Sequence, residues 1–150
     1  MNYIKEVSEK IDLVNEVLDE IKAPHLLENP DFSVDYMSME SWLKINLNDK
    51  GQNKIPLSLT FTRDNLEIGI DRFTEALDWS NKDLNKSKTF VMKMLIIIFT
   101  SYIFVEYHGL SRTLIRFFDR NGKFTNRFKF IDGLSFKGKR EYRLYFPIYQ

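Results

Sequence analysis

The chain has 150 residues, 43% of them hydrophobic and 29% charged, a balance that supports one globular domain with a real core and excludes a disordered chain. It contains no cysteine, which excludes disulfides, thiolate zinc sites and cysteine nucleophiles and fits a reducing cytoplasm. A net charge of +1 conceals a strong asymmetry: residues 1–50 carry 5 Lys/Arg against 11 Asp/Glu (−6), residues 51–110 carry 7 against 7, and residues 111–150 carry 10 against 3 (+7).

The first predicted element is a helix over residues 3–22. Ile4, Val7, Ile11, Val14, Leu18 and Ile21 recur at spacings of three and four and form one apolar stripe, with acids on the other faces. Its start shows no basic region followed by an apolar run, so no signal peptide is expected. Ala23-Pro24 ends it, because proline cannot continue a helix and pushes its predecessor out of the α region. Residues 25–35 read as a loop, and Tyr36–Leu47 as a strand offering Trp42, Ile45 and Leu47 to the core. After the turn cluster 48–53, Ile55–Thr62 alternates with a period of two, and Leu66, Ile68 and Ile70 alternate again beyond a turn at 63–65. Phe73–Trp79 reads as a further strand, with a helical turn as the rival.

Ser80-Asn81-Lys82-Asp83 supplies caps for a helix beginning near residue 82 and running to about Phe99. From Met94 to Val105 the chain shows 12 residues without a charge, too few for the roughly 20 a membrane span requires, so a buried core element is expected and no membrane partner. Tyr102–Tyr107, rich in β-branched and aromatic residues, favours a switch to strand over a helix continuing to His108 with Gly109 as its terminator. Hairpins follow: a strand over Thr113–Phe118, an Asn121-Gly122 turn, a strand over Lys123–Ile131, turns at Asp132-Gly133 and 137–139, and a last strand over Tyr142–Ile148. The expected class is α+β, an antiparallel meander with an N-terminal amphipathic helix and a second central helix packed on one face, in a single domain over residues 1–150.

No catalytic or cofactor pattern emerges. His25 and His108 are the only histidines, and neither has a second ligand at metal spacing. There is no phosphate-binding glycine motif and no Gly-x-Ser-x-Gly elbow. The expectation is therefore a binder without catalytic residues, metal or cofactor.

Two surfaces compete as its binding face. Asp64, Glu67, Asp71, Glu75 and Asp78 form an acidic row, with Glu67 off the apolar parity of its strand. The row is either a solvated strand face whose charges block edge pairing or a docking patch for a basic partner along one edge of the sheet. The second surface is basic: Arg112, Arg116, Arg120, Lys123 and Arg127, interleaved with phenylalanines. Cations and exposed aromatics together would suit nucleic acid. The shared parity of Phe124, Phe128 and Phe130 instead assigns those rings to the core, which disfavours that use.

The segment LSLTFTRDNLEIGIDRFTEALDWS, the apolar helix after it, and VEYHGLSRTLIRFFDRNGKF resemble small immunity proteins of bacterial contact-dependent inhibition and polymorphic toxin systems, over about half the chain. That resemblance implies a cytoplasmic, non-catalytic toxin inhibitor whose partner is one cognate toxin, typically a C-terminal toxin domain. The alternative is a nucleic-acid-binding regulator working through the basic hairpins.

Overall fold

The computed structural model describes residues 3–38, 40–48, 53–109, 112–131 and 140–149, with all of their side chains except those of 36–38, 74–76, 130 and 131. Helices and antiparallel strands give the expected α+β class, but the strands fall into two sheets instead of one meander. Contacts group the chain into two compact units, residues 1–50 with 56–96, and residues 51–55 with 97–150.

In the first unit, α1 (Lys5–Glu20) buries Val7, Ile11, Val14 and Leu18 as the stripe requires, together with Leu13 and Val17. It packs against the strand Leu57–Thr62 of the five-stranded sheet. Its end is tied without glycine. Lys22 takes the left-handed φ of 58°, while the Ala23 amide donates to the Leu18 carbonyl at 2.8 Å and the Lys22 amide to that of Asp19 at 3.1 Å. Those two bonds satisfy the carbonyls of Leu18 and Asp19 in the last turn, and Pro24 then leads the chain away.

The expected loop at 25–35 and single strand over 36–47 are corrected. A strand β1 (Phe32–Ser38) pairs with β2 (Trp42–Leu47) as a hairpin. Asn29 starts it: its Oδ1 accepts from the Asp31 amide at 2.9 Å, a local turn that releases the chain into the strand at Phe32. The reversal runs through Glu40 at φ 68°, a conformation that its sequence Met-Ser-Met-Glu-Ser does not advertise with Gly, Asn or Pro.

The sheet continues through β3 (Leu57–Thr62), β4 (Asn65–Ile70) and β5 (Phe73–Ser80) in simple order β1-β2-β3-β4-β5. Leu43, Ile45, Leu59, Phe61, Leu66 and Ile68 share the buried face, fixed by the register Leu43↔Phe61, Ile45↔Leu59, Leu59↔Ile68 and Phe61↔Leu66. The strand reading of 73–79 holds.

Ser80 then caps a helix, with a reciprocal box: its hydroxyl accepts from the Asp83 amide, and Asp83 accepts from the Ser80 amide. The single helix expected over 82–99 is two, α2 (Asn81–Lys86) and α3 (Lys88–Thr100), broken where Ser87 leaves helical angles at φ −133°.

In the second unit the switch to strand after α3 is real. The strands β6 (Tyr102–His108), β7 (Arg112–Phe118), β8 (Phe124–Ile131) and β9 (Arg140–Tyr145) form a sheet in the order β8-β7-β6-β9. Asp119 shapes the β7–β8 connection: its Oδ1 accepts from the Asn121 and Lys123 amides at 2.9 Å each, and Gly122 takes φ 78°. The last strand begins at Arg140 and ends at Tyr145, earlier at both ends than expected. The expected turns at 132–133 and 137–139 lie outside the described residues. Ile103, Val105, Ile115, Phe117 and Tyr145 are buried on one face of this sheet.

No described helix is long and apolar enough to cross a membrane. The 12-residue apolar run is divided between α3 and β6, and much of it is core: Met94, Leu95, Ile98, Phe99, Ile103 and Val105 are buried.

Candidate partner-binding surfaces

The acidic row is built on β4 and β5. Antiparallel register sets Glu67 directly opposite Asp78 on one face, with Thr60 of β3 on the other side of Glu67. Because Leu66, Ile68 and Ile70 point to the core, this is the opposite, solvent face. Asp78 is exposed and Glu67 half-buried. Asp64 is exposed in the β3–β4 turn, where its carbonyl accepts from the Asn81 amide at 2.9 Å. Asp71 lies at the far end of β4 with φ 57°, its amide donating to the Pro56 carbonyl at 2.8 Å. The side chain of Glu75 lies outside the described ones.

One part of the expectation needs correcting. The row does not follow an edge of the sheet, because Glu67 sits on β4, which is hydrogen-bonded on both sides by β3 and β5. Glu75 and Asp78 belong to β5, which is an edge strand. The charges therefore decorate a sheet face, so blocking of edge pairing does not account for Glu67. A shallow depression of about 280 Å³ opens on this unit between Lys44, Ser58, Gly69, Asp71 and Phe73.

The basic set divides by geometry. Arg112 and Arg116 stand on β7, and register places Arg127 of β8 directly opposite Arg116. Arg120 and Lys123 are exposed in the β7–β8 connection. Arg116 Nη1 donates to Glu106 Oε2 at 3.3 Å.

The assignment of Phe124 to the core is overturned. It is 50% exposed, because a register irregularity pairs Phe117 with Asn126 but Phe118 with Phe124. That extra residue flips the parity of the strand end, so Phe124 meets Phe118 on the outer face while Phe128 packs edge-on against buried Phe117. The side chain of Phe130 lies outside the described ones.

Sequence reasoning missed the centre of this outer face. Glu106 is buried there and holds both His108, whose Nε2 is 3.0 Å from Oε1, and Arg116. Burial alone would raise the Glu106 pKa. The charges of His108, Arg116 and Arg140 and the hydrogen bond from His108 outweigh it, and the carboxyl is held below its ordinary value. The signal was present: once 102–108 is a strand, Tyr102, Phe104, Glu106 and His108 share one face by alternation. His25, at the other end of the chain, is exposed and pairs with Asp19 at 2.8 Å.

Among the described residues, no group of three or more His, Asp or Glu is arranged to hold a metal ion. No protein-family model matches the chain, and no similar curated protein or solved structure is found.

Proposed function

We propose that the chain is a non-catalytic protein-binding module that acts in the bacterial cytoplasm as an immunity protein, binding and neutralising one cognate toxin domain with its acidic sheet face. The observation that carries this reading is the register of β4 and β5, which sets Glu67 opposite Asp78 with Asp64 and Asp71 at the two ends of β4. Like charges in direct cross-strand register repel. A partner that brings Lys or Arg against this face meets two carboxylates set side by side. The surrounding unit has 11 Lys/Arg against 17 Asp/Glu, a net of −6, so its field attracts a basic partner from a distance. The resemblance of residues 58–131 to immunity proteins supplies the biological setting.

The test is the association rate of the purified chain with the toxin domain encoded beside it. Steering by the acidic face makes that rate fall steeply as salt rises from ~20 to ~200 mM, since screening shortens the reach of surface charge. A rate that does not change with salt contradicts this reading.

A further inference from the structure

The outer face of the four-stranded sheet is ordered by chemistry along the strands. Reading across β8, β7, β6 and β9, register gives four successive lines of side chains on that face. The first is aromatic: Phe124, Phe118 and Tyr102, with Phe146 edge-on to Tyr102 at 5.9 Å. The next is Arg127, Arg116, Phe104 and Leu144, and Phe104 stacks on neighbouring Tyr142 with ring centroids 5.5 Å apart. The third line is Lys129, Leu114, Glu106 and Tyr142, and beyond it Arg112, His108 and Arg140 stand side by side on three strands. Phe124, Tyr142, Leu144 and Phe146 are each about half exposed or slightly less.

At the aromatic end this face opens into a cleft of about 650 Å³. Tyr102, Phe104, Phe118 and Leu144 line it, and the β7–β8 connection walls it with Arg120 and Asn121. Its size falls within the range of small-molecule sites. The unit that carries it has 11 Lys/Arg against 4 Asp/Glu, a net of +7. Glu106 is the one acid on the described outer face of the sheet, and its two oxygens are taken up by His108 and Arg116.

From this arrangement we infer that the outer face of the four-stranded sheet is a binding site for single-stranded nucleic acid, separate from the acidic face of the other unit. The physical requirements are met within one surface. Bases present flat π-faces to Tyr142, Phe146 and Phe124, and stacking on aromatic side chains is tolerant of sequence. Phosphates need cations close to those rings, and Arg127, Arg116 and Arg120 stand beside them. Leu114 and Glu106 are buried, so the accessible part of this face is its aromatic end and the β9 side, where the exposed rings accommodate about two or three stacked bases. A duplex keeps its base faces inside the stack, where these rings cannot reach them. An acidic protein would use the arginines and leave the exposed rings of Phe124, Tyr142 and Phe146 unused.

Fluorescence anisotropy with labelled 12-nucleotide RNA, the same sequence as DNA, and its duplex tests this at ~50 mM salt, a condition that favours phosphate contacts. Single strands should bind more tightly than the duplex, and affinity should fall with salt at a slope of about −0.7 for each phosphate contacted. Preference for RNA assigns a contact to the 2′-hydroxyl, and equal affinity assigns the contacts to bases and phosphates alone. Tyr142→Ala and, separately, Phe146→Ala should each weaken binding about tenfold, because each removes an exposed stacking ring without opening the core. The double variant Arg120→Glu, Lys123→Glu should weaken it further and flatten the salt slope. No binding of either strand at ~50 mM salt overturns the inference. So does binding that is equal for duplex and single strand, or that is unchanged in both ring variants.

Discussion

Lys10 is the most informative residue to replace. It is a charged side chain on the helix that packs the five-stranded sheet, yet it is only 3% exposed. Its ammonium has three donors and three acceptors: the carbonyls of Glu6 at 3.2 Å, Thr62 at 2.9 Å and Arg63 at 2.9 Å. Two of those bonds join α1 to the end of β3 and the turn that carries Asp64. Burial lowers the lysine pKa, and Asp64, Glu6 and Glu9 oppose that shift. Lys10→Met keeps the stem and deletes the ammonium. The Arg63 carbonyl retains a donor, Asn81 Nδ2 at 2.9 Å, and Glu6 belongs to its helix, so the Thr62 carbonyl loses most. Charge-assisted bonds are worth about 1.5–3 kcal/mol each, and removing the ammonium recovers part of its desolvation. The expected net loss is about 2 kcal/mol, a large share of a typical 5–15 kcal/mol. Urea unfolding should show a lower midpoint at unchanged slope. A loss under about 0.5 kcal/mol, the usual range of an exposed substitution, would mean that these bonds contribute little to holding α1 on the sheet.

Three further outcomes follow from the same physics. Ser80→Ala breaks the capping box at α2 and should cost about 1 kcal/mol in chemical denaturation, while Ser80→Thr should cost little. Phe61→Ala empties a fully buried site in the sheet core and should cost about 3–5 kcal/mol. Glu106 has its folded pKa lowered, so its contribution is fully present above the ordinary value of 4.5 and is lost as pH falls through the folded value. Denaturation midpoints between pH 3 and 6 should therefore drop more steeply for the parent than for Glu106→Gln, which should already be less stable at neutral pH.

The α+β class was legible because its signals were local. The stripe of α1, the period-two runs at 57–62 and 66–70, and the Ser80 cap each depend on neighbours within a few residues. The β1–β2 reversal was not legible, since Glu40 adopts a left-handed conformation that glutamate rarely takes and no turn residue marks it. The division of the strands into two sheets depends on which strand pairs with which, and β9 reaching across to β6 is such a non-local choice. The same limit hid the aromatic face. Parity arguments assumed a regular β8, and the irregularity opposite Phe117 and Phe118 moved Phe124 to the other side. The acidic row was legible as a set of charges, but its placement on an inner strand required the pairing of β4 with both neighbours.

The proposed function requires the acidic face of β4 and β5 to capture a basic toxin domain. Its most direct test is growth protection against that toxin by the double variant Glu67→Lys, Asp78→Lys. These two positions are preferable to Asp71, whose φ of 57° makes a lysine there a strain on the turn. Both lie off the buried face, so circular dichroism and the unfolding midpoint should match the parent. The folded variant should lose protection and no longer co-purify with the toxin. A folded variant that protects as well as the parent contradicts that requirement.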